Sequence, residues 1–353
     1  MISREYYSTR IQGLSSHLLD ESDYRELIDS LDLESFIQKL RMTDMKTVLE
    51  KHLSNSQNQQ SFHHSIDQYF SINWGLTSKF DPEGINSYYV ALRSLLDFEN
   101  LSHTLLYLSS KVSKNIIYAE LSPGGNIKTA IWEELIKCEN LRELKGKILI
   151  LAPDLMPFKP LVDIYTSANS LDYSIVALNL LINRYGPRTL NSKSLSIPIL
   201  TDYIHTKLII YILRTLIRIN IEQKYKYQLR PVLRFLTDKR IIKSYDKSKY
   251  TSSDSLSHLI SQILSNKHVL DSASAFFSKS DVNISQLPTI EKEIVQELIH
   301  RVRRKRYLNP SMENSALYYY LRLITQSQNL LWLYYAKMNG FGLEQINEKL
   351  VIV

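Results

Sequence analysis

Two adjacent histidines, His63 and His64, are the first residues in this chain whose types could do chemistry, because paired imidazoles can hold a metal. A zinc site needs further ligands at set spacings, and neither a cysteine nor a spaced third histidine accompanies them, so they read as a solvated pair. The stretch Ser122-Pro123-Gly124-Gly125-Asn126 has the glycines of a phosphate-cradling loop. It lacks the Lys-Ser or Lys-Thr that would reach phosphate and metal, and reads as a turn. No Gly-x-Ser-x-Gly and no spaced Ser/His/Asp set occurs, and the carboxylates are scattered over what look like helix faces. The single cysteine, Cys138, excludes an intrachain disulfide framework and a cysteine-rich zinc site, and fits a reducing compartment. The expectation is a protein without catalysis, cofactor or metal.

Charge is the stronger chemical signal. Arg301, Arg303, Arg304, Lys305 and Arg306 form the densest cluster of the chain, whose formal net charge is +7 and whose pI is about 9.1. They read first as a solvated helix end whose cations suit the carbonyl-rich pole, and in the functional reading as an electrostatic contact with an acidic protein surface or anionic lipid headgroups. The 23 tyrosines read mostly as core or half-buried helix positions, although those interleaved with lysine between Lys224 and Tyr250 would also suit RNA. The opening MISREYYSTR lacks the apolar core of a signal peptide. The greasiest run, Leu208 to Ile221, is broken by Arg214 and Arg218, so neither stretch is expected to span a bilayer.

The elements that position these residues read as helices. Only 9 glycines and 10 prolines punctuate 353 residues, which favours long helices over a many-stranded sheet fold. That length also exceeds the roughly 250 to 300 residues at which one core stops growing, so two or three sub-domains are expected. Apolar stripes run through Ile11, Leu14, Leu18 and Leu19, then Tyr24, Leu27, Ile28 and Leu31, then Phe36, Ile37 and Leu40, with Asp20, Ser22 and Asp32 as caps. Ser54 to Ser61 reads as an exposed loop, Asp81-Pro82-Glu83-Gly84 as a turn, and Ile85 to Val112 as a long helix carrying Asp97, Asn100 and Leu101. Leu121 to Gly125 is a boundary, because proline and paired glycines cannot continue a helix.

Helical stripes return over Ile127 to Leu144, Leu171 to Ile182, Asp202 to Lys224, Leu256 to Phe277 and Ile290 to Tyr307. Periodicity does not assign the short run Lys147 to Ala152. Gly186-Pro187, Asp238 to Ser255 and Asp281 to Pro288 read as breaks or connections. The closing stretch places Leu317, Leu321, Ile324, Leu331, Tyr335 and Met338 on one helix face. Gly340 then ends the helix in the left-handed conformation, and Leu343, Ile346 and Leu350 start a second stripe, making an αα-hairpin.

Each third of the chain repeats the order of short amphipathic helices, a break and one long helix. With Asn100, Ile209 and Asn329 as references, the separations are 109 (209 minus 100) and 120 (329 minus 209). The division is 1–120, 121–237 and 238–353, three copies of one helical unit.

These residues resemble a family, the C subunit of archaeal and bacterial V-type (A-type) ATP synthases, equivalent to the d subunit of eukaryotic V-type ATPases. Its opening pattern is followed by Tyr7, Arg10, Ile11, Leu18, Leu19, Tyr24, Leu27, Leu40 and Thr43. Asp97 with Asn100 and Leu101 keep the long-helix motif Asp-x-x-Asn-Ile in part, Leu213-Arg214 keeps its Leu-Arg, and Gln326 with Asn329 and Leu330 echoes the last copy. Asn339-Gly340-Phe341-Gly342-Leu343 followed by Ile346 matches the family's ending. Three positions depart: Leu331 stands where an arginine is expected, the first copy lacks its arginine near Leu106, and the middle copy lacks its asparagine at Ile209.

The resemblance implies an all-α, pseudo-threefold funnel, a non-catalytic central-stalk subunit of a rotary ATPase that couples the rotor shaft to the membrane proteolipid ring for proton or sodium transport. It would lie peripherally at the cytoplasmic face of the membrane, binding neither nucleotide nor nucleic acid. Asp97, Asn100, Arg214, Asn329 and Gly340 would be its structural motif, and the basic cluster a partner interface. The alternative is an unrelated α-helical scaffold or a basic nucleic-acid-binding protein.

Overall fold

The computed structural model describes residues 4–53, 58–79, 90–110, 117–118, 120–158, 162–163, 198–221, 229–238, 258–260, 262–263, 287–309 and 311–352. Among them every regular element is helical: the protein is all-α. The expected turn at 81–84, the helix at 171–182, the break at 186–187, nearly all of the connection at 238–255 and most of the helix at 256–277 lie outside the described residues.

The chain divides into two compact units, residues 1–159 with 299–353, and residues 160–298. In the first, α1 (Arg4–Ser15), α2 (Glu21–Ile28), α3 (Leu33–Leu40), α4 (Lys46–Leu53), α5 (Gln59–Lys79) and α6 (Val90–Ser110) come in chain order. Thr129–Ile136 forms α7, Leu141–Leu151 forms α8, and Pro153–Phe158 is a 3-10 turn. The second unit contains α9 (Pro198–Ile221) and α10 (Arg230–Asp238). α11 runs Leu287–Leu308, with its residues from 299 onward in the first unit. α12 (Met312–Met338) and α13 (Leu343–Lys349) end the chain.

Local chemistry sets the helix starts. Asp20 accepts the Ser22 and Asp23 N–H groups while Asp23 accepts the Asp20 N–H, a reciprocal capping box that opens α2. Asp32 caps α3 at the Ser35 N–H, and Asn140 caps α8 at the Glu143 N–H. Ser22 is therefore a capped residue and not a cap. The run 147–152 is resolved as the end of α8, and the expected helix at 127–144 is two helices parted by residues 137–140.

Three apolar assignments change. Helix α1 stops at Ser15, so Leu18 and Leu19 are buried from the turn that follows it. Leu31 is 96% exposed, because α2 ends at Ile28 and its register no longer carries the stripe. α12 is buried on nearly every side instead of one: Tyr319, Tyr320, Leu323, Leu330, Leu333 and Tyr334 are all as covered as the expected stripe, whereas Met338 is exposed.

The reason is that α12 is the core element of its unit, with helices on several sides. Phe62 of α5 stacks on Tyr334 with ring centroids 4.2 Å apart, and Trp74 meets Tyr320 edge-on at 4.7 Å. At 27 residues, or about 40 Å at 1.5 Å per residue, it is also the longest helix described. In the second unit α9 is likewise largely buried, and His205 packs edge-on against Phe235 of α10 at 5.7 Å.

Candidate functional site

The glycine loop after α6 is held by side chains of that helix, one turn after another. Arg93 donates from Nη2 to the Gly125 carbonyl at 2.7 Å and from Nε to the Gly124 carbonyl at 3.2 Å. The two carboxylate oxygens of Asp97 accept the N–H groups of Asn126 (2.8 Å) and Ile127 (3.2 Å). Asn100 closes a reciprocal pair with the Ser122 backbone, its amide donating to the carbonyl at 3.0 Å and accepting the N–H at 2.8 Å. Buried peptide groups in a turn have no helix ladder to satisfy them, and here three side chains supply the partners.

Both glycines are required by space. Gly124 has φ +89°, and a Cβ there would lie 2.5 Å from the Phe70 ring; a Cβ on Gly125 would lie 2.1 Å from Asp97 Oδ1. Burial pushes the Asp97 carboxyl up to about 6 despite the two N–H donors and the Arg93 charge that favour its ionised form. From the far side α12 reaches the same loop, with Gln328 Nε2 donating to Ser122 Oγ at 2.7 Å. The loop is thus a joint between α6 and α12 in which each of these side chains is engaged with the loop.

The same device recurs on α12. Asn329 donates to the Val351 carbonyl at 2.8 Å and accepts the Val351 N–H at 3.1 Å, pinning the chain's last described residues. The partner lies 22 residues on in both cases, at Ser122 from Asn100 and at Val351 from Asn329. Three positions before each asparagine stand Asp97 and Gln326, and seven before stand Arg93 and Arg322. Gln326 Oε1 accepts the Leu19 N–H at 2.8 Å, and Arg322 Nη2 donates to the Leu19 carbonyl at 2.8 Å, so these two bind the turn after α1. Arg93 and Arg322 carry no mark of their own in the sequence; their common offset from the two asparagines is the signal that finds them.

Arg214 makes a bidentate ion pair with Glu291 of α11 and lies over the Tyr211 ring at 5.8 Å. Leu331 is buried. Gly340 has φ +67°, the Gly340 N–H meets the Lys337 carbonyl at 3.3 Å, and the Phe341 N–H meets the Ala336 carbonyl at 2.9 Å. This is the paired bonding of a Schellman stop, completed by Phe341 packing edge-on against Tyr335 at 5.6 Å.

His63 and His64 are not a solvated pair. They lie within α5, which begins at Gln59 and not beyond a long polar loop, and His63 is buried against Tyr118 while His64 pairs with the buried Glu133 of α7. Burial, with the neighbouring His64, holds the His63 imidazole down at about 4. Among the described residues no group of three or more His, Cys, Asp or Glu is placed to hold a metal. Arg303, Arg304 and Lys305 are exposed near the end of α11, Arg301 is half-buried, and Arg306 stacks on Tyr318 at 4.8 Å.

A family profile described as ATP synthase (C/AC39) subunit matches residues 7–349. The chain belongs to this family. A curated relative, the C subunit of the A-type ATP synthase of Methanocaldococcus jannaschii, is 23% identical over 139 residues, which is 39% of this chain and 35% of that protein. The match thus spans about a third of the relative's length. Among the described residues no helix of this C/AC39 member is long and apolar enough to cross a membrane.

Proposed function

We propose that this C/AC39 protein is the non-enzymatic coupling piece of a rotary ATPase or ATP synthase, joining the rotor shaft to the membrane proteolipid ring for proton or sodium transport from the cytoplasmic side. The family match over residues 7–349 carries the reading. A part that passes torque works by stiffness. Side chains that clamp loops to long helices, as Asn100 and Asn329 do, supply it locally.

Triplication of one unit, with copies at 1–120, 121–237 and 238–353 in a pseudo-threefold funnel, belongs to the same proposal. The basic end of α11 is one partner-facing surface. Neither nucleotide nor nucleic acid is expected as a partner.

The test is co-expression of the full chain with the shaft and proteolipid subunits of its own complex, followed by ion pumping in vesicles. Co-purification with both, and loss of pumping at unchanged ATP hydrolysis when the chain is omitted, is the expected outcome. Failure to join either partner, or stoichiometric micromolar ATP binding by the purified chain in calorimetry, would refute the reading.

A further inference from the structure

We infer that the last two turns of α11 form a binding surface for an anionic phospholipid bilayer, which names the partner chemistry of the basic end and rests on the membrane-associated reading above. At about 100° per residue, the side chains facing away from buried Val302 follow one another around the helix as Arg303, Tyr307, Arg304, Leu308 and Lys305, an arc of about 200°. Cations and large apolar groups alternate along it. Tyr307 is 64% and Leu308 79% exposed, so both stand out between charges instead of folding back onto the core.

Arg303 and Arg306 also flank the Tyr307 ring, at 6.0 and 5.4 Å. The carboxylates nearest in sequence are Glu297, one turn earlier, and Glu313, at the start of α12, two against the five cations of the cluster.

This pattern fits a headgroup layer better than an acidic protein face. A convex arc of this width needs a partner that wraps around it, which a fluid bilayer does and a folded surface does only with a matching groove. Arginine and lysine lie at the phosphates, tyrosine prefers the headgroup level, and leucine reaches the acyl boundary. Charge or one apolar group alone binds weakly, whereas the two together give stable attachment.

The experiment is flotation of the full-length chain with vesicles of phosphatidylcholine alone or with about one third phosphatidylglycerol, over a range of salt. Binding is expected only to the anionic vesicles and to weaken with salt. Arg303→Gln, Arg304→Gln and Lys305→Gln together should lower it about a hundredfold, from roughly tenfold or less per cation. Tyr307→Ala with Leu308→Ala should lower it about tenfold while leaving the salt slope unchanged. All five positions are exposed, and Arg306 with its stack on Tyr318 is left intact, so helicity and melting should match wild type.

Equal binding to neutral vesicles, or an unchanged affinity in the Tyr307/Leu308 variant with equal binding to polyglutamate, overturns the inference in favour of plain polyanion or acidic-protein attraction. Because the rotor reading is judged by co-purification with shaft and ring subunits, a chain that joins them but ignores anionic vesicles defeats this inference alone.

Discussion

Two buried ionisable side chains pull stability in opposite directions as pH falls. His63 has a folded value of about 4 against 6.5 when free, so between those values the unfolded chain takes up a proton that the folded chain refuses. Its contribution is complete above pH 6.5 and is lost as pH drops toward 4, on the order of 3 kcal/mol. Asp97, raised from 3.8 to about 6, does the reverse: the folded chain holds the proton more tightly, so its contribution is present below 3.8 and lost as pH rises through 6. His63→Leu should therefore remove the acid-side loss and leave the Asp97 slope, making the variant gain on wild type by roughly 2 to 3 kcal/mol between pH 7 and 4.5 in urea titrations. A constant difference across that range would contradict the buried-neutral assignment. At Gly340 the surroundings are open, with nothing within 4 Å of a built Cβ, so only the positive φ penalises a side chain. Gly340→Val should cost about 1 to 2 kcal/mol by denaturation midpoint, and Gly340→Asn clearly less, since asparagine tolerates that conformation.

Between elements, the amide clasps are the discriminating feature. Asn329→Ala would leave the Val351 N–H and carbonyl without their partner, at about 1 to 3 kcal/mol, and should raise hydrogen exchange at Val351 and through α13 while sparing residues 121–127. Asn100→Ala should do the same to residues 121–127 and not to the terminus. If either change loosens both loops equally, the clasps are not independent joints. The caps of α2 and α3 and the glycine stop of α12 were legible in the sequence because each is a local pattern, Asp20 with Asp23, Asp32 with Ser35, Gly340 with Phe341. The burial of α12 on nearly every side was not, because its tyrosines, Thr325, Gln326 and Asn329 look like a polar face until the partners that satisfy them are in place. His63 misled for the same reason: its polar neighbours in sequence are not its neighbours in space.

For the molecule as a whole, α12 is where the chain's ends meet. Arg322 and Lys337 donate to carbonyls that follow α1 and α2, among them Leu19 at 2.8 Å and Ser30 at 2.5 Å. Cations at those C-terminal poles are also favoured by the helix dipoles. Residues 1–310 alone should thus be poorly soluble and expose apolar surface to a dye such as ANS. Co-expression of 311–353 as a separate chain should restore solubility, and a soluble, cooperatively melting 1–310 fragment would show that α12 is dispensable to the N-terminal helices.

The bond from Leu19 to Gln326 spans 307 positions, and that separation sets a clock during synthesis. At about 5 to 20 residues per second, the ribosome makes α1 roughly 15 to 60 seconds before the helix that covers it emerges. For that interval Tyr7, Ile11, Phe36 and Phe62, all fully covered in the finished fold, lack the partner that buries them. A newly made chain therefore depends on a holding chaperone or on slow collapse of α1 to α5 among themselves, and strains depleted of such chaperones should accumulate this protein as aggregate.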